Sequence, residues 1–132
     1  MKSSESVLAF LPFLVAATTV SAQGVVVHDV DYVQGVDYED GKDLLDIYMP
    51  EGAENAPVMV FFHGGALRAG DKSVGQGFAQ RFVSAGIGVV SASYRLSPMF
   101  RHPAHVEDAA SATAWVVENI ARRQHRPLEL LR

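Results

Sequence analysis

A pair of glycines that directly follows an apolar run is the part of the sequence best suited to chemistry. The run Pro57–Phe62 (PVMVFF) leads straight into His63, Gly64, Gly65 and Ala66. Glycine lacks a Cβ and tolerates unusual backbone angles, so its N–H can approach a bound group closely. Backbone N–H groups placed in this way stabilise the oxyanion that forms when a carbonyl carbon is attacked. We expect Gly64, Gly65 and Ala66 to form an oxyanion hole and His63 to brace the loop; the alternative is an ordinary turn.

Two opposite charges lie beyond the next apolar run. Arg95 follows the strand-like segment Ile87–Tyr94, and Asp108 lies near the start of a helical pattern. They could form a structural ion pair that fixes the loop over the site, or they could be separate solvated charges. His102 and His105 have a spacing that two metal ligands could use, but a metal site would need carboxylate or thiolate support. We therefore predict no metal site.

A competing interpretation is a phosphate-binding loop. Residues 65–73 (GALRAGDKS) nearly match the pattern G-x-x-x-x-G-K-[ST], and they follow a predicted strand. The extra residue Asp71 displaces Lys72 from its place in that pattern, and its carboxylate would repel phosphate. Nucleotide binding is therefore the weaker alternative.

The apolar pattern predicts alternating strands and helices. Two strands, Val25–Tyr38 and Asp43–Met49, are expected to be joined by a type I′ hairpin turn at Asp40 and Gly41. Pro57–Phe62 and Ile87–Tyr94 are apolar throughout, as strands buried on both faces are. The order of strand hairpin, strand, helix, strand, helix predicts an α/β sheet.

Two helices are expected, one after each buried strand. The first has an apolar face and ends at a glycine suited to a helix C-terminus (Phe78, Phe82, Val83, Ala85, then Gly86). The second starts near Ala104, with Trp115 in the core. Its apolar face is predicted to contain Val106, Ala109, Ala110, Thr113, Val116, Val117 and Ile120.

The composition excludes several classes of protein. The chain has 132 residues, of which 48% are hydrophobic and 20% charged, as in one globular domain. Its net charge of −4 gives no basic surface for nucleic acid. It contains no cysteine, so disulfides and thiolate metal sites are excluded.

Both ends of the sequence differ from the middle. Residues 1–22 combine a short polar start, an apolar run and small residues before Gln23, the pattern of a cleaved signal peptide. A membrane anchor is the alternative, but the apolar run is shorter than the roughly 17–25 residues that span a bilayer. We expect a secreted or periplasmic protein without a stable membrane anchor. Residues 23–120 form its body, and residues 121–132 an atypical basic tail.

Four ordered segments resemble one enzyme family. They are residues 43–50 (DLLDIYMP), 69–72 (AGDK), 93–98 (SYRLSP) and 102–109 (HPAHVEDA), and the likeness extends from Asp29 to Asn119. They resemble α/β-hydrolase carboxylesterases and lipases related to hormone-sensitive lipase and to bacterial acetyl-ester and feruloyl-esterase-like hydrolases. The resemblance implies the N-terminal part of an α/β-hydrolase sheet, the chemistry of carboxylic ester hydrolysis on small acetyl or aryl esters, and no cofactor.

One expected motif does not occur. The family's nucleophile lies in a Gly-x-Ser-x-Gly elbow, and no such pattern exists among these residues. In the family the serine, acid and histidine all follow the segment seen here, so none of the triad is expected in this chain. We therefore expect a truncated or frame-shifted product that is inactive alone. A non-catalytic binding module on the same scaffold is the alternative.

The same resemblance implies an open sheet edge. In the family, the strand leading to the serine lies beside the strand equivalent to Pro57–Phe62. Without that neighbour, the apolar edge would be free to pair with other chains. We expect non-specific self-association through this strand.

Overall fold

The computed structural model of the protein describes residues 24–121. The predicted signal peptide and nearly all of the basic tail lie outside this range. The elements, in chain order, are β1 (Val25–Asp31), β2 (Leu44–Met49), β3 (Val58–Phe62), a 3₁₀ turn (Lys72–Gly75), α1 (Gln76–Ser84), β4 (Gly88–Ala92), α2 (Ala104–Val116) and a π turn (Val117–Ala121). No helix in residues 24–121 is long and apolar enough to cross a membrane.

The four strands form one mixed sheet in the order β1-β2-β4-β3. β1 pairs with β2 and β2 with β4 in antiparallel fashion, whereas β3 and β4 are parallel. Helix α1 connects the parallel pair, as a crossover between parallel strands requires. This arrangement confirms the predicted fold, an incomplete α/β-hydrolase sheet.

The two helices cover opposite faces of the sheet. On one face, α2 contributes Ala112, Trp115 and Val116 to a core that contains Leu45 and Val90. On the other face, α1 packs Ala79 and Val83 against Tyr48 and Val89. Because β2 and β4 are covered on both sides, their side chains are almost completely buried, which explains the near-continuous apolar runs.

The connection between β1 and β2 differs from the predicted tight hairpin. β1 ends at Asp31, after a bulge at which Asp29 has a φ of 58°. In the long connection, Gly41 donates its N–H to the Tyr38 carbonyl and has a φ of 65°. The backbone of Asp40 does not have the positive φ that a type I′ turn requires. The predicted type I′ hairpin is therefore wrong, although the two strands do pair.

The buried face of α2 is rotated from the predicted one. Trp115, Val116 and Ile120 are in the core as expected, but Val106 and Val117 are exposed. The exposed positions also include Ala110 and Thr113. The inward face instead contains His105 and Asp108, because each of these polar side chains has a hydrogen-bonding partner below the helix.

The C-terminus of α1 is the one predicted. Gly86 has a φ of 82° and donates its N–H to the Val83 carbonyl, while Ile87 donates to Phe82. These two bonds form a Schellman motif, which turns the chain from the helix towards β4.

Candidate active site

The loop after β3 has an unusual backbone. Gly65, Ala66 and Leu67 follow one another with φ values of 121°, 54° and 61°. The Gly65 carbonyl accepts the N–H groups of Arg68 and Ala69 at 3.0 and 3.2 Å. A Cβ on Gly65 would overlap the carbonyl oxygen of Ala69, so only glycine fits there. Positive φ at Ala66 and Leu67 costs free energy, of the kind that functional loops often store.

The three amides predicted to hold an oxyanion point to no partner in the protein. Gly64, Gly65 and Ala66 are exposed. Within residues 24–121, none of their N–H groups donates a hydrogen bond. Three consecutive free donors at a strand end, held by a strained turn, are available to an external acceptor.

His63 fixes the start of this loop. Its ring is 3% exposed and stacks on Tyr94, with the ring centroids 4.4 Å apart. The Nδ1–H donates to the Gly64 carbonyl at 2.8 Å, and the Tyr94 hydroxyl donates to the His63 carbonyl at 2.7 Å. A Cβ on Gly70 would overlap the imidazole, so the far side of the loop also closes on this ring. These contacts hold the His63 ring against Tyr94 and against both sides of the loop.

Lys72 fixes the other end of the loop. Its Nζ lies 2.7 Å from a carboxylate oxygen of Asp29 and 2.8 Å from one of Asp46. Its N–H donates to Ser93 Oγ, and Ser91 Oγ donates to its carbonyl. With its ammonium held by two carboxylates, Lys72 is not free to meet a phosphate. The geometry therefore does not support the nucleotide-binding alternative.

Lys72, Asp29 and Asp46 form the anchor of the loop, and their charges stabilise each other. Burial opposes ionisation of Asp46, but hydrogen bonds from Lys72, the Asp29 N–H and His28 outweigh it and hold the pKa of Asp46 below its ordinary value. Burial likewise opposes the charge on Lys72, yet its bonds to Asp29 and Asp46 raise the pKa of Lys72. Burial raises the pKa of the neighbouring Tyr48 to about 12, so its hydroxyl stays protonated.

Arg95 and Asp108 form an ion pair, one of the two possibilities open from the sequence. The Arg95 guanidinium approaches the Asp108 carboxylate to 2.7 Å, and the Arg95 N–H also donates to it at 2.8 Å. The hydrogen bond to Asp108 raises the pKa of Arg95. The guanidinium carbon lies 5.1 Å from the ring centroid of Tyr38 and 5.3 Å from that of Phe100. The pair ties the segment after β4 to the first turns of α2.

A cavity of about 700 Å³ opens beside the loop, at the carboxyl ends of β3 and β4. Ligands of α/β sheets bind at this end of the strands. Leu67 lies in its wall, and the Leu67 carbonyl accepts the N–H of Ser97 at 2.7 Å. The lining residues are Phe62, His63, Leu67, Tyr94, Ser97, Arg101, His102, His105, Val106 and Ala109.

A contact between Ser97 and His105 in this lining was not predicted. Ser97 Oγ lies 3.2 Å from His105 Nε2 and donates its proton to the Phe100 carbonyl at 3.0 Å. Because the hydroxyl has one proton, its oxygen accepts from the imidazole, which is not the arrangement of an activated nucleophile. His102 also lines the cavity. Among residues 24–121, no group of three or more His, Cys, Asp or Glu side chains is placed to hold a metal ion.

Comparison with known proteins adds independent evidence. Residues 45–126 match the model of the BD-FAE family. The chain is 46% identical over 71 residues to esterase LipI of Mycobacterium tuberculosis, which covers 53% of this chain and 22% of LipI. It is 36% identical over 89 residues to carboxylesterase NlhH of the same organism, covering 65% of this chain and 28% of NlhH. The chain thus spans less than a third of either relative.

A solved structure agrees in fold. The hyperthermophilic esterase from Pyrobaculum calidifontis is 31% identical and superposes with a TM-score of 0.61, covering 72% of this chain and 30% of that one. The family match includes β2, β3, β4 and α2, the elements that carry the loop and line the cavity. The chain therefore belongs to the BD-FAE family, among the α/β-hydrolase esterases.

Proposed function

We propose that this chain supplies the oxyanion hole and one wall of the substrate pocket of a serine ester hydrolase. The observation that carries the proposal is the set of free N–H groups at Gly64, Gly65 and Ala66, beside the cavity. These donors would bind the carbonyl oxygen of an ester as it becomes negatively charged. The similarity to esterases supports this reaction over the alternative that the loop is an ordinary turn with unpaired N–H groups.

The loop is built for this role because it is held at both ends. His63 stacks in the protein interior at one end, and the ammonium of Lys72 is fixed by carboxylates at the other. A preorganised donor set stabilises a transition state without reorganising during the reaction. The pocket would receive small acetyl or aryl esters, since Phe62, Leu67 and Val106 give it an apolar wall.

Residues 1–132 contain no Gly-x-Ser-x-Gly elbow that could hold the nucleophile. An oxyanion hole without a serine, a histidine base and an acid retains only weak residual catalysis. We therefore expect the purified chain not to turn over p-nitrophenyl acetate. Turnover that a serine-directed phosphonate abolishes would contradict this part of the proposal.

A chimera tests the whole proposal. Residues 23–119 would be joined to the part of LipI that follows its matched segment, which should supply the missing residues. We expect the chimera to hydrolyse p-nitrophenyl butyrate, and to lose activity when the serine labelled by a fluorophosphonate is changed to alanine. A folded chimera that takes the label but hydrolyses no ester would overturn the proposal. It would favour the non-catalytic binding module instead.

We also propose that the protein is exported after cleavage near Gln23. The support is the sequence pattern of residues 1–22. N-terminal sequencing of a reporter fused to residues 1–30 tests it. An uncleaved reporter in the cytoplasm would contradict it.

A further inference from the structure

We propose that the pocket selects esters that carry a carboxylate, and that Arg101 is the residue that recognises this group. This inference rests on the proposed function, because it names the substrate class of the same site. It follows from the distribution of charge around the cavity beside the loop 64–66.

The guanidinium of Arg101 has no partner among residues 24–121. The cations of Arg95 and Lys72 are held by the carboxylates of Asp108 and Asp46. In the part of the chain that the structure describes, the Arg101 side chain makes no ion pair or hydrogen bond, although it lines the cavity. A free guanidinium beside an apolar wall presents donors that match a carboxylate in geometry and charge.

Among the described residues that line the cavity, Arg101 is the one that carries a formal charge at pH 7. The imidazoles of His63, His102 and His105 also border the cavity, and no carboxylate of residues 24–121 does. This is notable in a chain with 15 acidic and 11 basic residues. Clefts with low-dielectric walls and one sign of charge attract ligands of the opposite sign.

The apolar residues of the lining and Arg101 would contact different parts of a substrate. Phe62, Leu67, Val106 and Ala109 would cover the alkyl or aromatic body of a substrate. Arg101 would hold its carboxylate, which leaves the ester carbonyl to the amides of the oxyanion loop. A neutral isostere would fill the same volume but leave the guanidinium without a partner.

Two probes of the same shape test the inference on the full chain. Monomethyl terephthalate carries a carboxylate, and methyl 4-carbamoylbenzoate carries a neutral amide in its place. Binding is measured by amide chemical shifts of the ¹⁵N-labelled protein. We expect the anionic probe to bind at least about threefold more tightly than the neutral one, because an exposed ion pair contributes a small free energy of this size. Added salt should reduce this preference by screening the charges.

Variants assign the preference to its residue. Arg101→Gln should abolish it and Arg101→Lys should retain part of it. Arg81→Gln should leave it unchanged, because it makes the same change of charge on α1, which covers the opposite face of the sheet from α2. Equal binding of the two probes, with shifts at residues 64–66, would overturn the inference and leave the proposed function standing. Failure of both probes to shift those amides would instead count against the proposed function itself.

Discussion

At the scale of single residues, the site depends on buried charges that hold its loop in place. Asp46 is 3% exposed and accepts bonds from Lys72 and His28. Removing the Asp46 carboxylate would leave the ammonium of Lys72 with the more exposed carboxylate of Asp29 alone, and it would leave buried donors without their acceptor. The anchor of the oxyanion loop should therefore be sensitive to a change that alters no volume.

Asp46→Asn should lower the free energy of unfolding by about 1–3 kcal/mol at pH 7, the cost of weakened hydrogen bonds to a buried charge. Urea unfolding followed by the fluorescence of Trp115, the single tryptophan, measures this. Asp37→Asn is the control, since its carboxylate is exposed and forms no ion pair with any of residues 24–121. An equal effect of the two substitutions would show that Asp46 is not an anchor.

The same substitution should change the dependence of stability on pH. Because the folded-state pKa of Asp46 lies below its ordinary value of 3.8, its contribution is present above about pH 4. It is lost as the pH falls through the lower, folded-state pKa. The wild-type chain should lose stability over that acid range, and Asp46→Asn should lack this part of the loss. An identical acid slope in the two proteins would contradict the account.

The sequence predicted the position of the loop, because that position is local. His63, Gly64 and Gly65 directly follow the apolar strand β3, and their role at an oxyanion stays a prediction. The Ser97–His105 contact depends on how the chain turns between them, and the partners of Lys72 come from two other strands. No spacing along the chain encodes such contacts, so they could not be predicted.

At the scale of elements, the sequence predicted the end of one helix better than the buried face of the other. The C-terminus of α1 was predicted from a single glycine, Gly86. The face of α2 did not follow from hydrophobicity, because Asp108 is buried by its bond to Arg95 and brings the neighbouring turn inward. The predicted I′ turn failed because β1 ends at Asp31, which pairs with Leu44, so that residues 32–43 form a connection far longer than a two-residue turn.

Gly77 within α1 and Gly86 just after it should respond oppositely to the same substitution. Gly86 has a φ of 82° but open space around a Cβ, so Gly86→Ala should cost about 1 kcal/mol through backbone strain alone. Gly77 is helical and also has open space around a Cβ, so Gly77→Ala should raise the free energy of unfolding by about 0.5–1 kcal/mol. Thermal melting of both variants checks this. Two shifts of the same sign would exclude the αL termination of the helix as their cause.

At the scale of the whole molecule, the sheet has two unlike edges. β1 is protected by its bulge and by the charged residues Asp29 and Asp31. β3 reads VMVFF, and within residues 24–121 no other strand pairs with its outer side. An uncharged apolar edge of this kind is a template for pairing with another chain.

The chain should therefore associate through β3 as its concentration rises. Val60→Lys places a charge in the middle of this edge strand, where Val60 is half-buried against the core. In protein shown by thermal melting to be folded, it should shift association to concentrations several-fold higher. Val26→Lys adds the same charge to β1, where Val26 is already 48% exposed, and should have little effect. Sedimentation velocity over a dilution series measures both. A wild-type chain that stays monomeric at all concentrations would contradict the open edge.

The central claim, that the amides of residues 64–66 stabilise an oxyanion, is tested most directly by one rate measurement in the chimera with LipI. In Gly65→Ala, the added methyl group would overlap the Ala69 carbonyl and move the donors. We expect kcat for p-nitrophenyl butyrate to fall by about 10²–10³, as when one donor of an oxyanion hole is lost. The control Gly77→Ala should keep kcat. A folded Gly65→Ala chimera with unchanged kcat would show that the loop is only a turn.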